Sequence, residues 1–76
     1  MEELILHITK SLVEYPNEVS VTVAEESGNT LIINLTVAES DMGKVIGRQG
    51  RVAKAIRGIL KAVGTKHNKE VFLNIG

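Results

Sequence analysis

The sequence predicts an α+β fold in the order α-β-β-α-α-β, a three-stranded sheet with its helices packed on one face. Two observations carry this. Two alternating runs, residues 19–24 and 30–37, stand either side of a Glu26-Ser27-Gly28-Asn29 turn. A long amphipathic stretch, residues 51–64, then precedes a third alternation at Val71, Leu73 and Ile75.

Residues 2–14 read as a helix. Leu4, Ile5, Ile8 and Leu12 recur near helical spacing, and Glu2 and Glu3 suit its positive end. Pro16 closes it, because the residue before proline is pushed out of helical angles. Val19, Val21 and Val23 share one face of the first strand, and Leu31, Ile33, Leu35 and Val37 one face of the second. The turn between them makes a hairpin. Ser40 and Asp41 are good N-caps for a short helix, residues 41–46, that stops at Gly47. In the second helix Val52, Ile56, Ile59, Leu60 and Val63 share a face. Arg51, Lys54, Arg57 and Lys61 fall mostly opposite, and Gly64 stands where a helix cap is expected.

Residues 45–51, Val-Ile-Gly-Arg-Gln-Gly-Arg, join those two helices and are the most informative segment of the chain. Gly47 and Gly50 lack a Cβ, so they tolerate unusual backbone angles and let another backbone approach. The free N–H groups of the helix that follows attract anions. Arg48 can fork onto a phosphate. A bare G-x-x-G is common, and its plain alternative is a tight corner between helices. Here the hairpin upstream, the basic helix after it and the strand downstream favour a clamp on a nucleic-acid backbone.

The 76 residues fit one domain, residues 1–76, with a small core. Nine basic and nine acidic residues cancel overall but are sorted along the chain. Residues 1–41 hold eight acids against Lys10, a balance of −7. Residues 42–76 hold eight cations against Glu70, a balance of +7. That asymmetry points to a polyanionic partner for the second half, or to two solvated faces that attract each other. There is no cysteine, no recognisable leader and no apolar run long enough for a membrane span, so a cytoplasmic location is expected.

Other chemistries find little support. Tyr15 and Phe72 are the only aromatics, too few for the stacking platforms of RRM and OB domains, and both read as packing residues. His7 and His67 belong to no ligand cluster, and no metal or other cofactor is expected. Gly43-Lys44 lacks the P-loop order, and Gly43, Gly47 and Gly50 do not make a dinucleotide fingerprint. No nucleophile–base pair stands out, so the chain does not read as an enzyme.

Taken with that element order, the segment Asp41-Met42-Gly43-Lys44-Val45-Ile46-Gly47-Arg48-Gln49-Gly50-Arg51 and the run Ile8-Thr9-Lys10-Ser11-Leu12-Val13 resemble one family. It is that of the small stand-alone bacterial type II KH domains, the KhpA (YlqC) family. Members often carry lysine where Arg48 stands and proline where Glu39 stands. The resemblance covers the whole chain. It implies a groove for single-stranded RNA between the two central helices on one side and the strand near 70–75 with the loop near 25–30 on the other. It implies that Gly47 and Gly50 admit the backbone and that Arg48 and Gln49 contact phosphate and sugar. Val45, Ile46 and Val52 would lie under the bases, and Lys44, Arg51 and Lys54 would add positive potential. It further implies an RNA-chaperone role, effects on cell-wall growth and cell shape, and a homodimer or a heterodimer with a larger KH-domain protein (KhpB, also Jag). The competing expectation is a protein-interaction module in which dimerisation or docking is primary and RNA secondary.

Overall fold

The turn folds the chain back as expected. β1 (Ser20–Glu26) pairs antiparallel with β2 (Thr30–Thr36), with Val23 opposite Ile33 and Val21 opposite Leu35. β2 pairs in parallel with β3 (Glu70–Ile75), Ile33 opposite Leu73. A parallel pair needs a crossover connection. α2 (Met42–Ile46) and α3 (Arg51–Lys66) supply it, and α1 (Glu2–Leu12) completes the helical layer. β2 is therefore the central strand, and β1 and β3 are edges. These elements come from a computed structural model that describes residues 2–76.

The core lies on one face of the sheet, as the alternation requires. Ile5, Val45, Ile56 and Leu60 come from the helices, and Ile33, Leu35 and Leu73 from the strands, none more than 6% exposed. Even-numbered strand residues turn to the other face. There Asn74 Nδ2 donates to Asn34 Oδ1 at 3.2 Å. Val23 points the same way as Val21, yet it is 42% exposed, because it lies on an edge strand. Ile59, expected on the apolar face of α3, is also exposed, and Ala53, Ile56, Leu60 and Gly64 form the buried stripe instead.

Two expectations about helix ends are corrected. α1 stops at Leu12 rather than residue 14, and Asp41 does not cap α2 through its side chain. The two facts have one cause. Asp41 is buried, and its carboxylate accepts the backbone N–H groups of Glu14 and Tyr15, each at 3.1 Å. A carboxylate accepting two backbone donors is a strong, charge-assisted arrangement. It fastens the chain leaving α1 to the entrance of α2.

Gly64 is not the cap of α3 either. The helix runs on to Lys66, and Asn68, at φ +57°, is the left-handed residue that ends it. Lys69 N–H then donates to Gly64 O at 2.7 Å and Asn68 N–H to Thr65 O at 3.1 Å, the two bonds of a Schellman motif. Gly64 is needed for space. A Cβ there would lie 2.7 Å from both Lys69 O and Val71 Cγ2, so its absence lets β3 start against the helix.

This predicts opposite signs for the same substitution at two glycines of one helix. Gly58→Ala meets nothing within 4 Å and should stabilise by about 0.5–1 kcal/mol, the ordinary helix preference. Gly64→Ala should destabilise by about 1–3 kcal/mol through overpacking. Urea unfolding followed by circular dichroism measures both. Equal shifts of the two midpoints would contradict the close approach of α3 and β3.

Candidate nucleic-acid interface

Gly47 ends α2 and turns the chain sharply. Its N–H donates to Gly43 O at 2.8 Å, and its backbone takes φ +78°, ψ 172°. A Cβ at this position would sit 2.5 Å from Val52 Cγ2 and 2.9 Å from Val52 N. The loop therefore lies directly on the first turn of α3, a contact only glycine permits. A single tight turn, Arg48–Gly50, follows, and Gly50 N–H donates to Gly47 O at 3.1 Å. Gln49 and Gly50 are both left-handed, at φ +57° and +74°. This conformation leaves the side chains of Arg48 and Gln49 exposed.

The same turn delivers the chain into α3 with no side chain capping its N-terminus. The first N–H groups of a helix lack intrahelical partners and carry partial positive charge. They lie beside Arg48, Arg51 and Lys54. Among the described residues none of those three forms an ion pair.

Beyond the loop a groove of about 400 Å³ runs between α3 and β3. Arg57, Lys61 and Thr65 line one side, and Lys69 and the residues of β3 to Asn74 the other. β3 is an edge strand, and alternate residues of a parallel ladder turn both backbone groups to one side. Glu70 and Gly76 donate to Asn29 O and Leu35 O, so even-numbered residues face β2. Val71, Leu73 and Ile75 turn theirs to the open edge. Arg57 Nη2 donates to Leu73 O there at 3.3 Å, which holds a guanidinium along the groove. At the far end Lys69 Nζ donates to Gly28 O at 2.7 Å and Glu25 Oε1 at 3.3 Å, docking the hairpin loop against the start of β3.

The residues expected to form the site are thus divided. Gly47, Arg48, Gln49, Gly50, Arg51, Val52 and Lys54 occur together at the loop and the first turn of α3. Ile46 is exposed beside them, but Val45 is fully buried, so its side chain is core and not a surface for bases. Lys44, expected to add positive potential, directs its ammonium to Glu14 Oε1 at 3.1 Å and Asp41 Oδ1 at 3.9 Å. Arg57 and Lys61, which are not among the expected site residues, line the groove. The three- and four-residue spacing of Arg51, Lys54, Arg57 and Lys61 already places them on one stripe. That stripe flanks the buried one rather than opposing it, which brings Arg57 and Lys61 to the groove. The open edge of β3 has no signal in the sequence.

Comparison with known proteins places the chain in a family. Residues 2–75 match the family model described as KhpA/KhpB, KH domain. A Listeria monocytogenes protein named RNA-binding protein KhpA is 52% identical over 75 residues, 99% of this chain and 97% of that one. Proteins of the same name from Clostridium acetobutylicum and Bacillus subtilis are 51% and 44% identical, each over 99% of this chain and over 99% and 91% of theirs. Among solved structures, Era in complex with MgGDPNP and nucleotides 1506–1542 of 16S ribosomal RNA shares the fold. That match has a TM-score of 0.58 at 23% identity, over 97% of this chain and 28% of that one.

The two loop glycines should respond differently to a methyl group. Gly50→Ala meets open space and carries only the left-handed penalty, about 1 kcal/mol. Gly47→Ala adds a clash with Val52, including its backbone nitrogen, and should cost about 3 kcal/mol or more. Chemical denaturation of the two variants measures the difference. Equal losses would show that the loop does not rest on α3 as described.

Proposed function

Since the chain belongs to the family of KhpA/KhpB KH domains, we propose that it binds single-stranded RNA by closing the loop of residues 47–50 on the sugar–phosphate backbone. The observation that carries this reading is the uncapped start of α3 beside Arg48 and Arg51, neither ion-paired among the described residues, on the helix whose later turns line a groove with an open strand edge. Phosphates meet Arg48, Gln49 and the first N–H groups of α3. Bases turn toward the groove, over Ile46 and Val52, where the odd-numbered backbone groups of β3 offer donors and acceptors. Arg51, Lys54, Arg57 and Lys61 supply the field along the path. The family is one of RNA-binding KH domains and not of enzymes.

Such a grip is short and reads little sequence, because backbone contacts position a strand without identifying it. It lets go easily. A protein that holds unpaired RNA briefly and releases it suits an RNA chaperone, and effects on cell-wall growth and cell shape would follow from the RNAs it holds. No helix among the described residues is long and apolar enough to cross a membrane. We assign the protein to the cytoplasm, with its RNA.

Assembly is the second reading, and the edge of β1 favours it. Odd-numbered residues of β2 face β3, so its even-numbered residues pair with Ser20, Thr22, Ala24 and Glu26. Val21, Val23 and Glu25 therefore turn their backbone groups outward. This edge lacks the proline, lysine or bulge that usually discourages pairing. Antiparallel pairing of two copies about Val23 would bury that exposed valine on its counterpart and set Glu25 against Val21 rather than against glutamate. A homodimer, or a heterodimer with a larger KH-domain protein of the KhpB (Jag) kind, would then place two clamps on one RNA and raise avidity.

The double variant Arg48→Asp, Gln49→Asp should abolish detectable RNA binding while circular dichroism shows an intact fold. Lys44→Ala should change affinity little, because that lysine already faces Glu14 and Asp41. With about three to four phosphates neutralised, the log–log salt slope should be near −2 to −3. Retained affinity in the folded double variant would refute the clamp. For assembly, light scattering at tens of micromolar should report a dimer that Val23→Lys converts to folded monomer. A strict monomer that recovers no KH-domain partner from lysate would refute that reading.

A further inference from the structure

Phe72 is the one phenylalanine of the chain, and it is 49% exposed. It does not belong to the core. Even-numbered β3 residues project from the solvent face of the sheet, so the ring stands there with Ile32 as its cross-strand neighbour. Yet Phe72 and Asn74 also line the α3–β3 groove, because β3 is the strand at its rim. One element thus separates a basic groove from an aromatic surface by the width of a single strand.

The guanidinium of Arg57 stands at this place on the rim. Its bond to Leu73 O fixes it at the residue between Phe72 and Asn74. That bond engages one N–H of the five that arginine offers, and the others remain for an anion. Among the described residues no carboxylate pairs with Arg57. Glu70, two residues before Phe72 on the same strand, also lines the groove and would repel a phosphate, so an anion is favoured beside Arg57 and away from Glu70. A cation at the edge and an aromatic ring just past it fit a nucleotide whose phosphate stays in the groove while its base folds over the rim.

We propose that Phe72 is a stacking site for one further nucleobase, reached by a strand that leaves the groove past Arg57 and folds one base over the edge of β3. The proposal rests on the RNA reading above and adds a subsite to it. Every base has an aromatic face, so the site accepts any of the four and extends the footprint without adding sequence preference. Asn74 and Asn34, bonded to each other beside the ring, leave amide donor and acceptor capacity for the edge of the stacked base.

The test compares a four-nucleotide oligoadenylate, which fills the clamp, with a seven-nucleotide one, which reaches the rim. The unaltered protein should bind the longer RNA more tightly. Phe72→Ala and Phe72→Leu should each lose about tenfold more affinity for the longer RNA than for the shorter. The leucine variant retains the apolar contact with Ile32, which guards against a loss caused by unfolding. Phe72→Trp should retain affinity, and its fluorescence should be quenched by the longer RNA alone. Unchanged affinity for the longer RNA in both the alanine and leucine variants overturns the stacking site and leaves the clamp standing. Failure of the unaltered protein to bind either RNA overturns the clamp and the stacking site together.

Discussion

The interface depends on one missing atom. Gly47 lies so close to Val52 that a Cβ would overlap both its side chain and its backbone nitrogen. This contact presses the loop onto the first turn of α3, and the candidate interface is built on that placement. It leaves the start of α3 free of a capping side chain, turns Arg48 and Gln49 outward, and starts the basic stripe of α3 at the loop itself. Gly50 has a different task, since its position is open and only its left-handed backbone matters. The two glycines of one motif answer two physical demands, space at the first and conformation at the second.

The separation of charge along the chain is met in part within the fold itself. All three ion pairs among the described residues join an acid of the first half to a lysine of the second: Glu14 and Asp41 to Lys44, and Glu25 to Lys69. The two exposed pairs, Glu14–Lys44 and Glu25–Lys69, contribute little stability. Their placement matters more, because one braces the junction of α1 and α2 and the other fixes the hairpin loop at the end of the groove. Among the described residues the cations of α3 form no ion pair, and only Arg57 is tied to a carbonyl.

Much of this was legible in the sequence, and the exceptions share a cause. Element order, the hairpin and the loop motif follow from local patterns: alternation, turn residues and glycine spacing. The readings that changed depend on contacts between distant segments. Asp41 looks like a helix cap until residues 14 and 15 are brought to it. Gly64 looks like a helix terminus until β3 returns against it. Lys44 and Val45 stand in the motif, but the arrangement of α1 turns one to an ion pair and the other to the core. Phe72 is exposed on the sheet face, and only the return of its strand beside α3 brings it to the rim of the groove.

The central claim is that RNA follows a path from the loop of residues 47–50 along the groove between α3 and β3. Mapping backbone amide shifts by nuclear magnetic resonance during titration with a short single-stranded RNA tests it most directly. The account predicts the largest shifts at residues 46–53, at Arg57 and Lys61, and along β3 from Val71 to Asn74, with β1 and α1 nearly unmoved. Shifts concentrated on β1, α1 or the acidic hairpin, with the loop unperturbed, would contradict it.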